Sequence, residues 1–138
     1  MKKFLLILTL ALLAASASQA QDDENDKIRD KMREFIQKRL NLTRNEAERF
    51  TPVFVRYFRE WRQTLREQKG DMLERQKRIV DLRIRYRPEF REIVGEKRST
   101  EIFRQQEIFI DNLRKVREEQ TRSRKDDRPN KRFRALLQ

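Results

Sequence analysis

Leu42-Thr43-Arg44-Asn45-Glu46-Ala47-Glu48-Arg49-Phe50-Thr51-Pro52-Val53-Phe54 opens an aromatic stripe that continues through Tyr57, Phe58, Trp61 and Leu65. Thr43 followed three residues later by Glu46 has the pattern of a capping box. The hydroxyl and the carboxylate each take up one of the backbone N–H groups that a helix start leaves free, and Leu42 and Ala47 stand at hydrophobic-staple spacing around it. From there Ala47, Phe50, Phe54, Tyr57, Phe58, Trp61 and Leu65 recur at the intervals that place side chains on one face of a helix. Pro52 removes the hydrogen bond to the Glu48 carbonyl, so the helix is expected to bend there or to restart with Thr51 as its cap. Leu42, Thr43 and Glu46 therefore read first as structural residues. The aromatic row reads first as core or as the seam of a dimer.

The same pattern extends in both directions. Ile28, Met32, Phe35, Ile36 and Leu40 predict a first helix from about Asp26 to Leu40, and the acidic run Asp22 to Asp26 suits the positive end of its dipole. Gly70 followed by Asp71 and Glu74 reads as a stop and a fresh start. A third helix from Asp71 to about Val94 would then bury Met72, Ile79, Leu82, Tyr86, Phe90 and Ile93, with Pro88 as a second bend and Gly95 as its end. A fourth, from about Glu96 to Gln120, carries Ile102, Phe109, Leu113 and Val116 on its main face and Phe103 and Ile110 on the flank. Two Gly and three Pro in 138 residues leave little material for tight turns between strands. The expected fold is all-α, with four amphipathic helices.

At the amino end, Lys2 and Lys3 precede the apolar run Phe4 to Ala15, followed by Ser16-Ala17-Ser18-Gln19-Ala20. This is the pattern of a secretory leader with cleavage expected after Ala20, and the run is too short for the roughly 20 residues of a membrane span. The expected organisation is a signal peptide over 1–20, a helical domain over 21–120 and a basic, unstructured tail over 121–138. The tail's Arg122 to Arg134 would allow weak contact with an anionic membrane surface. The formal charge is +12, and loss of Lys2 and Lys3 with the leader leaves +10. Leu, Ile, Val and Phe make up 29 of the 118 residues from Gln21 onward. That exceeds the roughly 20% below which a highly charged chain stays disordered. The core will be thin, and self-association or a partner would complete its burial.

No His and no Cys are present, which rules out the usual nucleophilic triads and any imidazole or thiolate metal site. The cluster Asp22, Asp23, Glu24 and Asp26 lacks the alternate spacing and glycine of a calcium loop. An enzyme is not expected, nor any cofactor. Arg83, Arg85, Arg87 and Arg91 would suit phosphate contacts, but export removes nucleic acid from reach. Outside the cytoplasm the same charge would act on acidic proteins, unfolded chains or anionic lipid.

Val55 and Ile108 fall outside the main stripes, while Val53, Phe58, Phe103 and Ile110 lie on their flanks. Gathered beside Arg56, Arg59, Arg62 and Arg66, they would combine dispersion contacts with long-range attraction for a flexible or acidic chain. The alternatives are a plain solvated arginine face and a docking surface for one specific protein.

With a leader, an amphipathic first helix and Leu42-Thr43-Arg44-Asn45-Glu46 directly after it, the chain resembles the Spy/CpxP family of Gram-negative periplasmic proteins. Their signature is Leu-Thr-x-x-Gln, with Glu46 here in place of the Gln. The resemblance runs on through Ala47 to Phe54 and through Tyr86-Arg87-Pro88-Glu89-Phe90-Arg91-Glu92-Ile93-Val94, and covers about residues 26 to 118. A second copy of the signature, expected near Ile93 to Lys97, is reduced to Val94-Gly95-Glu96-Lys97. This places the resemblance closer to the looser members described as periplasmic heavy-metal sensors or as sensors linked to extracytoplasmic sigma factors. It implies a cradle-shaped antiparallel homodimer that holds unfolded or partly folded envelope proteins without ATP. The alternative it implies is an adaptor that reports stress or metal load to a periplasmic sensor domain.

Overall fold

The computed structural model describes the backbone of residues 2–126 and the side chains of residues 19–125. Within them lie four helices: α1 (Lys2–Arg39), α2 (Arg44–Glu67), α3 (Met72–Val94) and α4 (Glu96–Asp126). The protein is all-α, as its composition requires.

Each junction is set by a few residues. Asn41 adopts a left-handed backbone (φ 51°). This lets the Leu42 N–H reach the Gln37 carbonyl at 3.1 Å and the Asn41 N–H reach that of Lys38 at 3.3 Å, closing the end of α1. Two residues later Thr43 caps α2, and the capping box is complete: the Glu46 N–H donates to Thr43 Oγ1 at 3.2 Å and the Thr43 N–H to Glu46 Oε1 at 3.4 Å. Asp71 caps α3 by accepting from the Glu74 N–H at 2.9 Å. Gly95, at φ 86°, is the sole residue between α3 and α4. That conformation strains any residue with a Cβ, so the glycine makes the abrupt reversal possible.

α2 continues through Pro52 as one helix, with Thr51 inside it, while three other boundaries differ from expectation. Thr51 is no cap, because its hydroxyl bonds back to the Ala47 carbonyl at 2.9 Å. α2 ends at Glu67, before Gly70, with Gln68 as its cap. α1 begins well before Asp26, since nothing between Ala20 and Asp26 breaks a helix. α4 runs six residues past Gln120, to Asp126, because no Gly or Pro intervenes before Pro129. Residues 121–126 are therefore helical where an unstructured tail was expected. The remainder of that tail, with Arg128 and Arg134, lies outside the described residues.

Contacts fix the topology. α2 lies on α3, α3 on α4, α4 on α1 and α1 on α2, so each helix has two neighbours in a ring. Arg56 meets Glu89 and Glu60 meets Arg85, so numbers rise along α2 as they fall along α3. Arg39 meets Gln105 while Glu24 meets Arg117, the same relation between α1 and α4.

Aromatic rings fill the centre. Phe50 stacks on Phe54 at 5.3 Å and tilts against Phe90 of α3 at 5.4 Å. Tyr57 packs on Tyr86 of α3 at 5.5 Å and reaches across the ring to Phe103 of α4 at 5.6 Å. Such ring pairs add about 0.5–1.5 kcal/mol each beyond the area they bury. Met32, Ile36 and Leu40 of α1, Val53, Phe58 and Trp61 of α2, Leu82 and Val94 of α3 and Ile102 of α4 complete the buried set.

Two expected core residues are exposed. Met72 is the first residue of α3, where the chain has just left α2 and nothing packs on its face, and Val116 lies on the overshooting end of α4, where every residue from Arg114 to Lys125 is exposed. The α4 core is partly polar instead, with Ser99, Gln105 and Gln106 buried.

Phe54→Ala, at a position with no exposure, is expected to cost about 3–5 kcal/mol in urea unfolding. Val116→Ala should stay within about 0.5 kcal/mol of wild type.

Candidate functional site

The Thr43–Glu46 turn does more than start α2. Arg98 of α4 donates from Nη2 to Glu46 Oε2, from Nε to the Val94 carbonyl at 2.9 Å, and from Nη1 to the Leu40 carbonyl at 3.4 Å. One guanidinium thus ties the starts of α2 and α4 to the ends of α1 and α3. Desolvation works against the Glu46 carboxylate, but the Thr43 N–H, the Arg98 guanidinium and the Thr43 hydroxyl together hold its pKa below the usual carboxylate value. The role of Leu42, Thr43 and Glu46 in this structure is architectural.

The surface residues singled out in the sequence are divided among several places. Val55, Phe58, Arg59, Arg62 and Arg66 line one groove of about 410 Å³ between α2 and the middle of α1, facing Asp22, Asn25, Asp26 and Arg29. Arg56 is turned the other way and pairs with Glu89 of α3 at 2.6 Å. Phe58 is 4% exposed and Phe103 is 9% exposed, so both chiefly serve the core. Phe103 also lies under the Arg83 guanidinium, 5.7 Å from its ring centre. Ile108 is half-buried on α4, and Ile110 lines a separate groove with Trp61 and Leu113. The nine residues therefore do not form one patch.

Much of the arginine is internally neutralised. Arg83 pairs with Glu107, Arg85 with Glu60 at 2.8 Å and Arg91 with Glu96 at 2.5 Å. Three members of the row that suited phosphate thus face carboxylates of the same chain. Arg83 also donates to Gln106 Oε1 at 3.2 Å, and that oxygen accepts from the Tyr57 hydroxyl at 2.6 Å. Burial pushes the Tyr57 hydroxyl up from its ordinary pKa. Burial and the 2.5 Å bond to Glu60 push Tyr86 up to about 12. The Arg85 bond pulls Glu60 below the carboxylate value of 4.5, against desolvation and with help from Tyr86.

The exposed apolar surface lies elsewhere, on α3. Met72 is 61%, Leu73 76%, Val80 51% and Ile84 62% exposed. At 100° per residue, Leu73, Val80 and Ile84 fall within about 40° of one another, on a line that continues through Lys77 and Arg87. The sequence held the signal for this second stripe, offset from Leu82, Tyr86 and Phe90, but the stronger aromatic face masked it.

Comparison with family models, with curated proteins and with solved structures finds no match for the chain. Among the described residues no helix is long and apolar enough to cross a membrane.

Glu60 has a folded pKa below its unfolded one, so its stabilising effect is complete above pH 4.5 and is lost as pH falls through the folded value. Its side chain is 39% exposed, which limits the effect to about 1 kcal/mol or less. Urea titrations should show Glu60→Gln less stable than wild type at neutral pH, with the difference shrinking to nothing in strong acid.

Proposed function

We propose that this protein is a periplasmic, ATP-independent, chaperone-like binder of non-native proteins. The observation that carries the reading is the row Leu73, Val80 and Ile84, left in solvent by a fold that has few apolar side chains to spare. Lys77 and Arg87 lie on the same face, and the whole chain is strongly basic. Apolar contacts of this extent fall well short of the about 800 Å² per partner of a stable interface. They suit weak, fast and salt-sensitive capture of flexible segments, with the net positive charge steering acidic chains toward the surface.

The leader and the resemblance to the Spy/CpxP family support export to the periplasm and an antiparallel homodimer, with bends at Pro52 and Pro88 giving each protomer a cradle form. Envelope proteins that have lost their fold are the clients this location would supply.

Suppression of light scattering by several unrelated denatured proteins at low salt tests the proposal. The triple variant Leu73→Ser, Val80→Ser, Ile84→Ser changes only exposed positions and should keep its fold. It is expected to hold clients at least about tenfold more weakly, equivalent to about 1.4 kcal/mol. Undiminished suppression by the triple variant contradicts the assignment to α3. No suppression by wild type, with tight binding to a single sensor domain, would assign the chain to the adaptor role instead.

A further inference from the structure

Between α1, α2 and α4 lies a groove of about 440 Å³, inside the about 300–1,000 Å³ range of small-molecule sites. Ile28, Trp61, Leu65 and Leu113 give it apolar lining, Gln21, Glu24 and Asn25 add polar groups, and Arg62 from α2 and Arg117 from α4 bring positive charge. Arg62 also borders a neighbouring hollow with Arg66, Lys69 and Asp22.

The cations here are poorly neutralised. Among the described residues, Arg62, Arg66 and Lys69 make no ion pair. Arg62 donates from Nη2 to the neutral Asn25 Oδ1 at 2.8 Å, and its Nε is buried without a hydrogen-bond partner. Arg117 has an exposed, long contact with Glu24, at 3.4 Å. Desolvation, and then the charges of Arg66 and Arg117, lower the Arg62 pKa, with Glu24 alone acting against them. A guanidinium whose side-chain partner is a neutral amide, in a field of like charge, is stabilised by an anion that bonds its accessible N–H groups.

We propose that this groove binds a long-chain carboxylate, a fatty-acid anion, with its head between Arg62 and Arg117 and its chain on Trp61, Leu65 and Leu113. The guanidinium fork matches a carboxylate in shape and charge. The apolar lining suits an alkyl chain. This site is on the opposite side of α2 from the contacts with α3, and its occupancy does not depend on client capture.

Trp61 is the single tryptophan, so its fluorescence reports directly on the groove. Titration of the full chain with dodecanoate, kept below micelle formation, should give a saturable change. Arg62→Gln and Arg117→Gln are each expected to weaken binding about tenfold, while Glu24→Gln, which frees Arg117, should strengthen it. Dodecanol should bind at least about tenfold more weakly, and acetate should give no response. The Leu73, Val80, Ile84 triple variant should bind dodecanoate as wild type does, which separates this site from client capture. No saturable change, equal binding of dodecanol and dodecanoate, or an unaltered Glu24→Gln overturns the proposal. So does a response confined to acidic peptides.

Discussion

The fold depends on Tyr57 and the phenylalanines beside it. Phe50, Phe54 and Tyr57 project from α2 into the ring of helices; Phe50 reaches Phe90 of α3, Tyr57 reaches Tyr86 of α3 and Phe103 of α4, and Phe54 links the two within α2. In a chain with 42% charged residues, few large apolar groups are available to hold four helices together. The aromatic stripe therefore has to face inward, and that fixes the rotation of α2. Everything attached to the other faces of α2 follows: Arg56 toward α3, Arg62 and Arg66 toward α1.

Polar groups complete what the rings leave open. Tyr57 brings its hydroxyl into the centre, where Gln106 and Arg83 satisfy it. Arg83 in turn reaches outward to Glu107. The bundle therefore passes from ring to amide to ion pair within one cross-section, which satisfies the Gln106 oxygen and leaves its buried Nε2 without a partner. The Arg98 clasp performs the corresponding task at the end of the bundle, where Glu46 is at once a helix cap and an inter-helix anchor.

Local rules made the helices legible. The capping box at Thr43, the cap at Asp71 and the reversal at Gly95 could be read because each depends on residues within four positions of one another. The stripes of α1 and α2 were equally plain. What could not be read depends on where a helix outlasts its neighbours. Met72 and Val116 share the phase of buried residues, yet stand where no partner helix faces them. Phe58 and Phe103 looked like flank positions, but large rings in a ring of four helices can reach the centre from an offset phase. Gln105 and Gln106 were invisible as core because their burial needs Arg39, Arg83 and Tyr57 from elsewhere in the chain. The end of α1 at Asn41 was legible in principle, since asparagine is among the few residues that accept a left-handed backbone.

The apolar side chains fall into an aromatic set committed to the fold and an outer row on α3 left in solvent, the row proposed to hold clients. Photo-crosslinking from positions 73 and 84, with positions 44 and 104 as controls, measures that division directly. A denatured acidic client at low salt should crosslink from 73 and 84 and leave 44 and 104 unlabelled. Equal labelling from all four positions, or labelling from the controls alone, would contradict it.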